Sequence, residues 1–136
     1  MIPLLHMPEL SFKGISIKSL GFQNFEFVAN WQVENNNNFS FDISRFIYEL
    51  TVNNSSWAQG TMQDPPQVKA NGVTVIPLDI AVTSVPLITQ LIDIINRGAG
   101  LNFNSTGNLG LKGNLPGMDA FDLPFDLSGI TRLTQN

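Results

Sequence analysis

The chain of 136 residues contains no cysteine. Disulfides, thiolate zinc sites and a cysteine nucleophile are therefore excluded, while the compartment stays open because exported and cytosolic proteins alike can lack this residue. Histidine occurs once, as His6. A multi-histidine metal site is excluded, and at an N-terminal position expected to fray His6 makes a poor base for a catalytic triad. Charge is scarce as well: 13% of residues are charged and the net charge is -4. The seven basic residues (Lys13, Lys18, Arg45, Lys69, Arg97, Lys112 and Arg132) are scattered rather than gathered into a patch. No nucleic-acid partner is expected. Long apolar runs are missing too; none reaches the roughly 20 residues of a membrane helix. The opening MIPLLHM has no basic region followed by a long apolar stretch, so it does not read as a leader.

What is present is apolar material in short alternating runs. Hydrophobic residues make up 43% of the chain, far too many for intrinsic disorder at so low a charge. The length suits one domain spanning residues 1–136, with a core from about 8 to 133, able to bury roughly two thirds of its unfolded surface. The most informative stretch is NFEFVANWQVENNNN, where Phe25, Phe27, Ala29, Trp31 and Val33 alternate with Glu26, Val28, Asn30, Gln32 and Glu34. One face is apolar and the other mostly wet, which predicts a half-buried strand. It runs into Asn35, Asn36, Asn37 and Asn38, residues that favour turns because their short amides bond nearby backbone.

The same period recurs along the chain. Leu10, Phe12, Ile15 and Ile17 alternate with polar residues and slip phase at Gly14, as a β-bulge would require. Phe39 to Ile43 leads into a second strong strand, Phe46 to Asn53, which the NNSS turn connects to a short Trp57 to Met62 strand. After Asp64, Pro65 and Pro66, the Asn71-Gly72 turn precedes VTVIPLDIAV, a further strand. From Ser84 the period changes to 3.6. Leu87, Ile88, Leu91, Ile92, Ile94 and Ile95 predict one short helix with Ser84 as N-cap and Gly98 after its end, its six apolar side chains covered as it plugs the sandwich or packs on its open side. Leu101 to Lys112 and Phe121 to Leu133 supply the last two strands. The expected fold class is all-β with one short helix, a two-sheet immunoglobulin- or fibronectin-III-like antiparallel β-sandwich of about seven strands.

Motifs that carry chemistry are few. Asp119, Asp122 and Asp126 have no EF-hand spacing, and the last two fall on the wet face of an alternating strand. Gly107, Gly110 and Gly113 lie in a strand pattern rather than before a helix, so close backbone packing explains them better than a phosphate loop. Trp31 sits in phase with Phe25 and Phe27 and reads as core, while Trp57 reads equally as core or as an interface anchor. Asn38, Asn53, Asn54 and Asn104 each open an N-x-S/T sequon, which matters only in a glycosylating host. No catalytic, cofactor-binding or metal residue is assigned. The candidate interaction surface comprises Trp57 with Asn35, Asn36, Asn37 and Asn38.

Taken in order, VENNNNF, FIYELTVNN, WAQGTM, QVKANGVTVIPLDIAV, the apolar helix and LKGNLPGMDAFDLPFDLSGITRL resemble the late embryogenesis abundant type 2 family. These proteins are related to the plant group 14 desiccation protein and share the water stress and hypersensitive response domain. The resemblance covers Pro8 to Leu133, and its most specific parts are the strand-to-asparagine turn with Tyr48 downstream, KANGVTVIPLDI, and LPFDLSG. One departure bears on turn rigidity: the family usually has Asn-Pro where Asn35 is followed by Asn36.

The resemblance implies a folded, non-enzymatic sandwich associated with tolerance of desiccation, without cofactor and with no site residues to carry over. A bacterial member is expected. Protection would then come from a folded surface whose 15 asparagines offer neutral hydrogen-bonding groups in place of lost water; solvated loops account for the same composition. The expected partner is an unidentified protein or membrane surface, with the chain itself a monomer. The alternative is a cell-envelope lipoprotein-type module that binds a specific protein. It would lie in the envelope or periplasm if a lipoprotein leader was trimmed ahead of the first strand, and in the cytoplasm otherwise.

Overall fold

Alternating apolar side chains build strands, and the strands form two layers because each needs a second apolar face to cover its own. The computed structural model describes residues 5–20, 25–82, 85–98 and 100–135. In order the elements are β1 (Glu9–Leu20), β2 (Phe25–Asn35), β3 (Phe41–Val52), β4 (Ser55–Thr61), β5 (Gly72–Val82), α1 (Val85–Arg97), β6 (Leu101–Gly113), β7 (Phe121–Thr131) and β8 (Leu133–Gln135). One four-stranded sheet has the order β5-β2-β1-β8 and the other β4-β3-β6-β7. The seven long strands pair antiparallel, giving the expected sandwich. The final strand, expected to run to Leu133, instead ends at Thr131; Leu133–Gln135 then joins the other sheet, parallel to β1. Three residues are too few to show a period of their own.

Phe25, Phe27, Ala29, Trp31 and Val33 of β2 all face inward. β2 is held between β1 and β5, so both of its edges are paired. The phase slip in β1 is a register shift between Phe12 and Gly14. Gly14 has φ of 116°, a conformation that disfavours any side chain. β3 is one strand rather than two segments; a register shift between Ile43 and Arg45 resets its phase, which is why the sequence pattern breaks there. Asn53 and Asn54 adopt φ of 49° and 66° and close the β3-β4 hairpin as a two-residue left-handed turn.

Helix α1 covers less than its composition suggests. Leu91 is buried and Ile88, Ile94 and Ile95 pack partly against the core, but Ile92 is 46% exposed. At 100° per residue Ile92 lies at the margin of the stripe containing Ile88, Leu91 and Ile95. The expectation that all six apolar side chains are covered is therefore corrected for Ile92. Gly98 with φ of 64° ends the helix, its N–H donating to the Ile95 carbonyl at 3.2 Å. The proposed N-cap, Ser84, lies outside the described residues, as does the side chain of Leu87.

The core centres on Trp31, fully buried, with ring centroids of Phe12 and Phe46 each 5.3 Å away and Tyr48 at 6.0 Å. Its Nε1–H donates to the buried Ser105 Oγ at 2.8 Å, linking β2 to β6 across the sandwich. The glycines of β6 do allow close packing. A Cβ at Gly107 would collide with the Ile47 carbonyl oxygen and lie 2.8 Å from the Phe125 ring. Gly107→Ala is expected to destabilise the fold by about 3 kcal/mol, since neighbouring backbone cannot yield as a side chain can. Urea denaturation checks this, and a loss below about 1 kcal/mol would show that β6 relaxes freely.

Edge strands are vulnerable to pairing with other chains, and two of them here carry a proline at mid-strand. Pro77 lies in β5 and Pro124 in β7, each strand with a neighbour on one side only. Proline has no N–H to offer an incoming strand. The double variant Pro77→Val with Pro124→Val is expected to self-associate at concentrations where the parent scatters no light. Equal scattering from both would show that the prolines do not guard the edges.

Candidate functional site

The asparagine run does not form one exposed surface. The inward parity of β2 continues past Val33, so Asn35 and Asn37 are buried while Asn36 and Asn38 are exposed. Asn35 uses its whole amide: Nδ2 donates to the carbonyls of Phe39 at 2.9 Å and Lys69 at 2.8 Å. Its Oδ1 accepts from the backbone N–H of Asn37 at 3.0 Å and from Asn37 Nδ2 at 2.9 Å. A buried primary amide has two donors and two acceptor positions, and all are filled. Asn37 passes the network on. Its Oδ1 accepts from the His6 N–H at 2.8 Å and its Nδ2 donates to the His6 carbonyl at 2.6 Å, so its side chain pairs with the His6 backbone as a strand residue would. The frayed terminus expected at His6 is corrected: its backbone is tied down, 31 residues away in sequence.

Trp57 is half-buried, its ring 5.2 Å from Phe27. Phe27 and Asn35 lie eight residues apart on β2, so about 27 Å of strand separates Trp57's neighbour from the amide turn. The structure therefore does not bring Trp57 and the asparagines together. Of the aspartates, Asp122 faces Arg45 at 3.8 Å and Asp126 accepts from Asn104 Nδ2 at 2.9 Å. Among the described residues no three acidic or histidine side chains gather as metal ligands would.

Asp42 holds one end of β3 to its surroundings. Its Oδ1 accepts from Gln67 Nε2 at 2.8 Å and Asn114 Nδ2 at 3.4 Å. The Gln67 hydrogen bond, then that of Asn114, hold this carboxyl below the ordinary aspartate range. A depressed folded-state value contributes stability above the unfolded-state value, lost as pH falls through the folded one. Asp42→Asn is accordingly expected to lessen the acid sensitivity of Tm below about pH 4, the region where an ordinary aspartate titrates. An unchanged Tm-against-pH curve would remove Asp42 from the account.

Strand pairing also creates a groove that no local motif announces. It lies at the open side of the sandwich, where β4 and β5 are the edges of their sheets, and has a volume of about 590 Å³. Tyr48, Met62, Val75 and Leu78 line it, with Asp64 and Asp79 on its walls. These residues come from β3, the segment after β4, and β5. The same Tyr48 borders a second depression over Gly60 and Gly107 on the outside of the β4-β3-β6-β7 sheet.

The LEA_2 family model, described as late embryogenesis abundant protein, matches residues 30–129. The desiccation protectant protein Lea14 homolog of Glycine max is 27% identical over 93% of this chain and 81% of its own length. Late embryogenesis abundant protein Lea14-A of Gossypium hirsutum is likewise 27% identical, over 93% and 82%. In fold, the solution structure of an Arabidopsis thaliana protein superposes with a TM-score of 0.61 at 20% identity, covering 98% of this chain and 85% of that one. No helix among the described residues is long and apolar enough to cross a membrane. The alternating central strand, the amide-rich turn that ends it and the match across residues 30–129 lead to one conclusion: the chain belongs to the late embryogenesis abundant type 2 family.

Proposed function

We propose that this protein is a non-enzymatic stress protectant that acts as water is lost, through weak contacts of its folded surface with other macromolecules or membrane surfaces. The observation that carries the reading is the near end-to-end similarity to a protein named as a desiccation protectant. The character of the surface supports it. Asn36, Asn38, Asn54, Asn71, Asn104 and Asn114 are exposed, whereas the ion pairs found among the described residues are three, all solvent-facing. Drying concentrates salt, and at about 1 M the screening length shrinks to about 3 Å, which weakens contacts made by charge. Neutral amides keep their hydrogen-bonding capacity under those conditions.

The test is recovery of a labile reporter enzyme after drying and rehydration, against an equal mass of an unrelated β-sandwich of similar charge. Recovery above that control is the expected result. Recovery equal to the control would overturn the protective reading and leave the family assignment standing.

A further inference from the structure

We propose that the groove between β4 and β5 binds an extended peptide segment in which a lysine or arginine is flanked by apolar residues. Much of the lining is apolar: Met62, Val75, Pro77 and Leu78, with Tyr48, beside the polar Thr61 and Gln63. Val75 is 49% exposed although it is aliphatic, so part of this surface gains by being covered. Of the described residues lining the groove, Asp64 and Asp79 alone are charged. Asp64 lies beyond the end of β4 and Asp79 lies in β5. Lys18 Nζ reaches Asp79 at 3.4 Å from outside, with the Asp79 side chain still 73% exposed. Tyr48 lines the groove as well, its hydroxyl 3.5 Å from where a Cβ on Gly60 would stand.

Each feature narrows the occupant. Two carboxylates and several apolar side chains lining one groove fit a cationic side chain whose neighbours are aliphatic. The groove runs beside the free edge of β5, which suits an extended chain. Pro77 interrupts that edge, so a peptide cannot be held by a continuous backbone ladder and its side chains must supply the recognition. A phospholipid surface fits less well, because its phosphates meet two aspartates on a protein of net charge -4. The inference rests on the groove alone and stands apart from the protective reading.

The experiment uses the fluorescein-labelled octapeptide GSVLKVLG and its counterpart GSVLEVLG, with anisotropy titrations at low salt and ¹H–¹⁵N spectra of the full chain. The lysine peptide is expected to bind and to shift the amides of Tyr48, Met62, Val75 and Leu78. The glutamate peptide, and the lysine peptide with the Asp64→Asn, Asp79→Asn variant, are each expected to bind about tenfold more weakly, the effect of losing two exposed charge contacts. Both aspartates are exposed, so the variant should keep the parent's dispersed spectrum, and that spectrum is the check on its fold. Equal affinity for the two peptides, an unchanged affinity in the variant, or shifts confined to other residues would overturn the proposal. So would phosphatidylcholine vesicles that reproduce the peptide's shifts, since they would assign the groove to lipid.

Discussion

Asn35→Ala is expected to destabilise the protein by about 4 kcal/mol, although the change is small and removes no apolar packing. The side chain is fully buried and makes four hydrogen bonds, two given and two received. Its loss orphans the carbonyls of Phe39 and Lys69 and the N–H of Asn37, each of which costs about 1–3 kcal/mol if left dry. Some water entry keeps the total below the simple sum. For a chain of this length such a loss lowers Tm by about 12–16 °C.

Asn35→Asp sharpens the test. Aspartate has the same shape and is an equally good turn former, so if the residue served only to turn the chain, the variant would be near neutral. Here it would point oxygen at the two carbonyls that Nδ2 now serves, and burial would penalise its charge. Asp is therefore expected to be at least as damaging as Ala. A Tm within about 3 °C of the parent, less than about 1 kcal/mol, in either variant would sink the account of the amide as a structural hub.

The second large effect is expected at Trp31. Trp31→Ala removes the largest fully buried side chain and its contacts with Phe12, Phe46 and Tyr48. Deleting a core aromatic costs about 3–5 kcal/mol, and the Ser105 hydroxyl loses its partner as well. The expected total is about 5 kcal/mol, enough to leave much of the chain unfolded at ordinary temperature if its stability lies at the lower end of the usual range of about 5–15 kcal/mol. Trp31→Phe separates the two contributions. It keeps a ring in the core but not the indole N–H, so urea denaturation should show an intermediate loss. Adding Ser105→Ala to the Trp31→Phe variant should cost little, because the hydrogen bond is already gone. Additive losses in the double variant would show that Trp31 and Ser105 are not coupled across the sandwich.

Much of the architecture was legible in the sequence because alternation is a local signal. Faces of β2 follow from parity alone, and the Gly14 slip, the Asn53-Asn54 hairpin and the Gly98 helix stop are each decided by a residue's own conformational preferences. The candidate surface was less legible. Asn35 and Asn37 read as wet because asparagine favours turns, yet they share the odd parity of Phe25 to Val33 before them and of the buried Phe39 and Phe41 after them. That continuing parity was the available signal, and it favoured burial over surface. The β4-β5 groove had no signal at all, since its walls are separated in the chain and meet only through strand order.

The sequence by itself determined that this chain folds, that it folds as a sandwich of alternating strands with one helix, and which side of the strongly alternating strands such as β2 is apolar. Those outcomes depend on the type and spacing of neighbouring residues, which act over a few positions. Tertiary structure alone decided that Asn35 finds the Lys69 carbonyl 34 residues away, that Trp31 finds Ser105 74 residues away, and that Tyr48, Asp64 and Asp79 come to line one groove. Hydrogen bonds and grooves of this kind depend on which strands become neighbours. Strand order follows from the summed burial of both sheets, a quantity that no single segment carries.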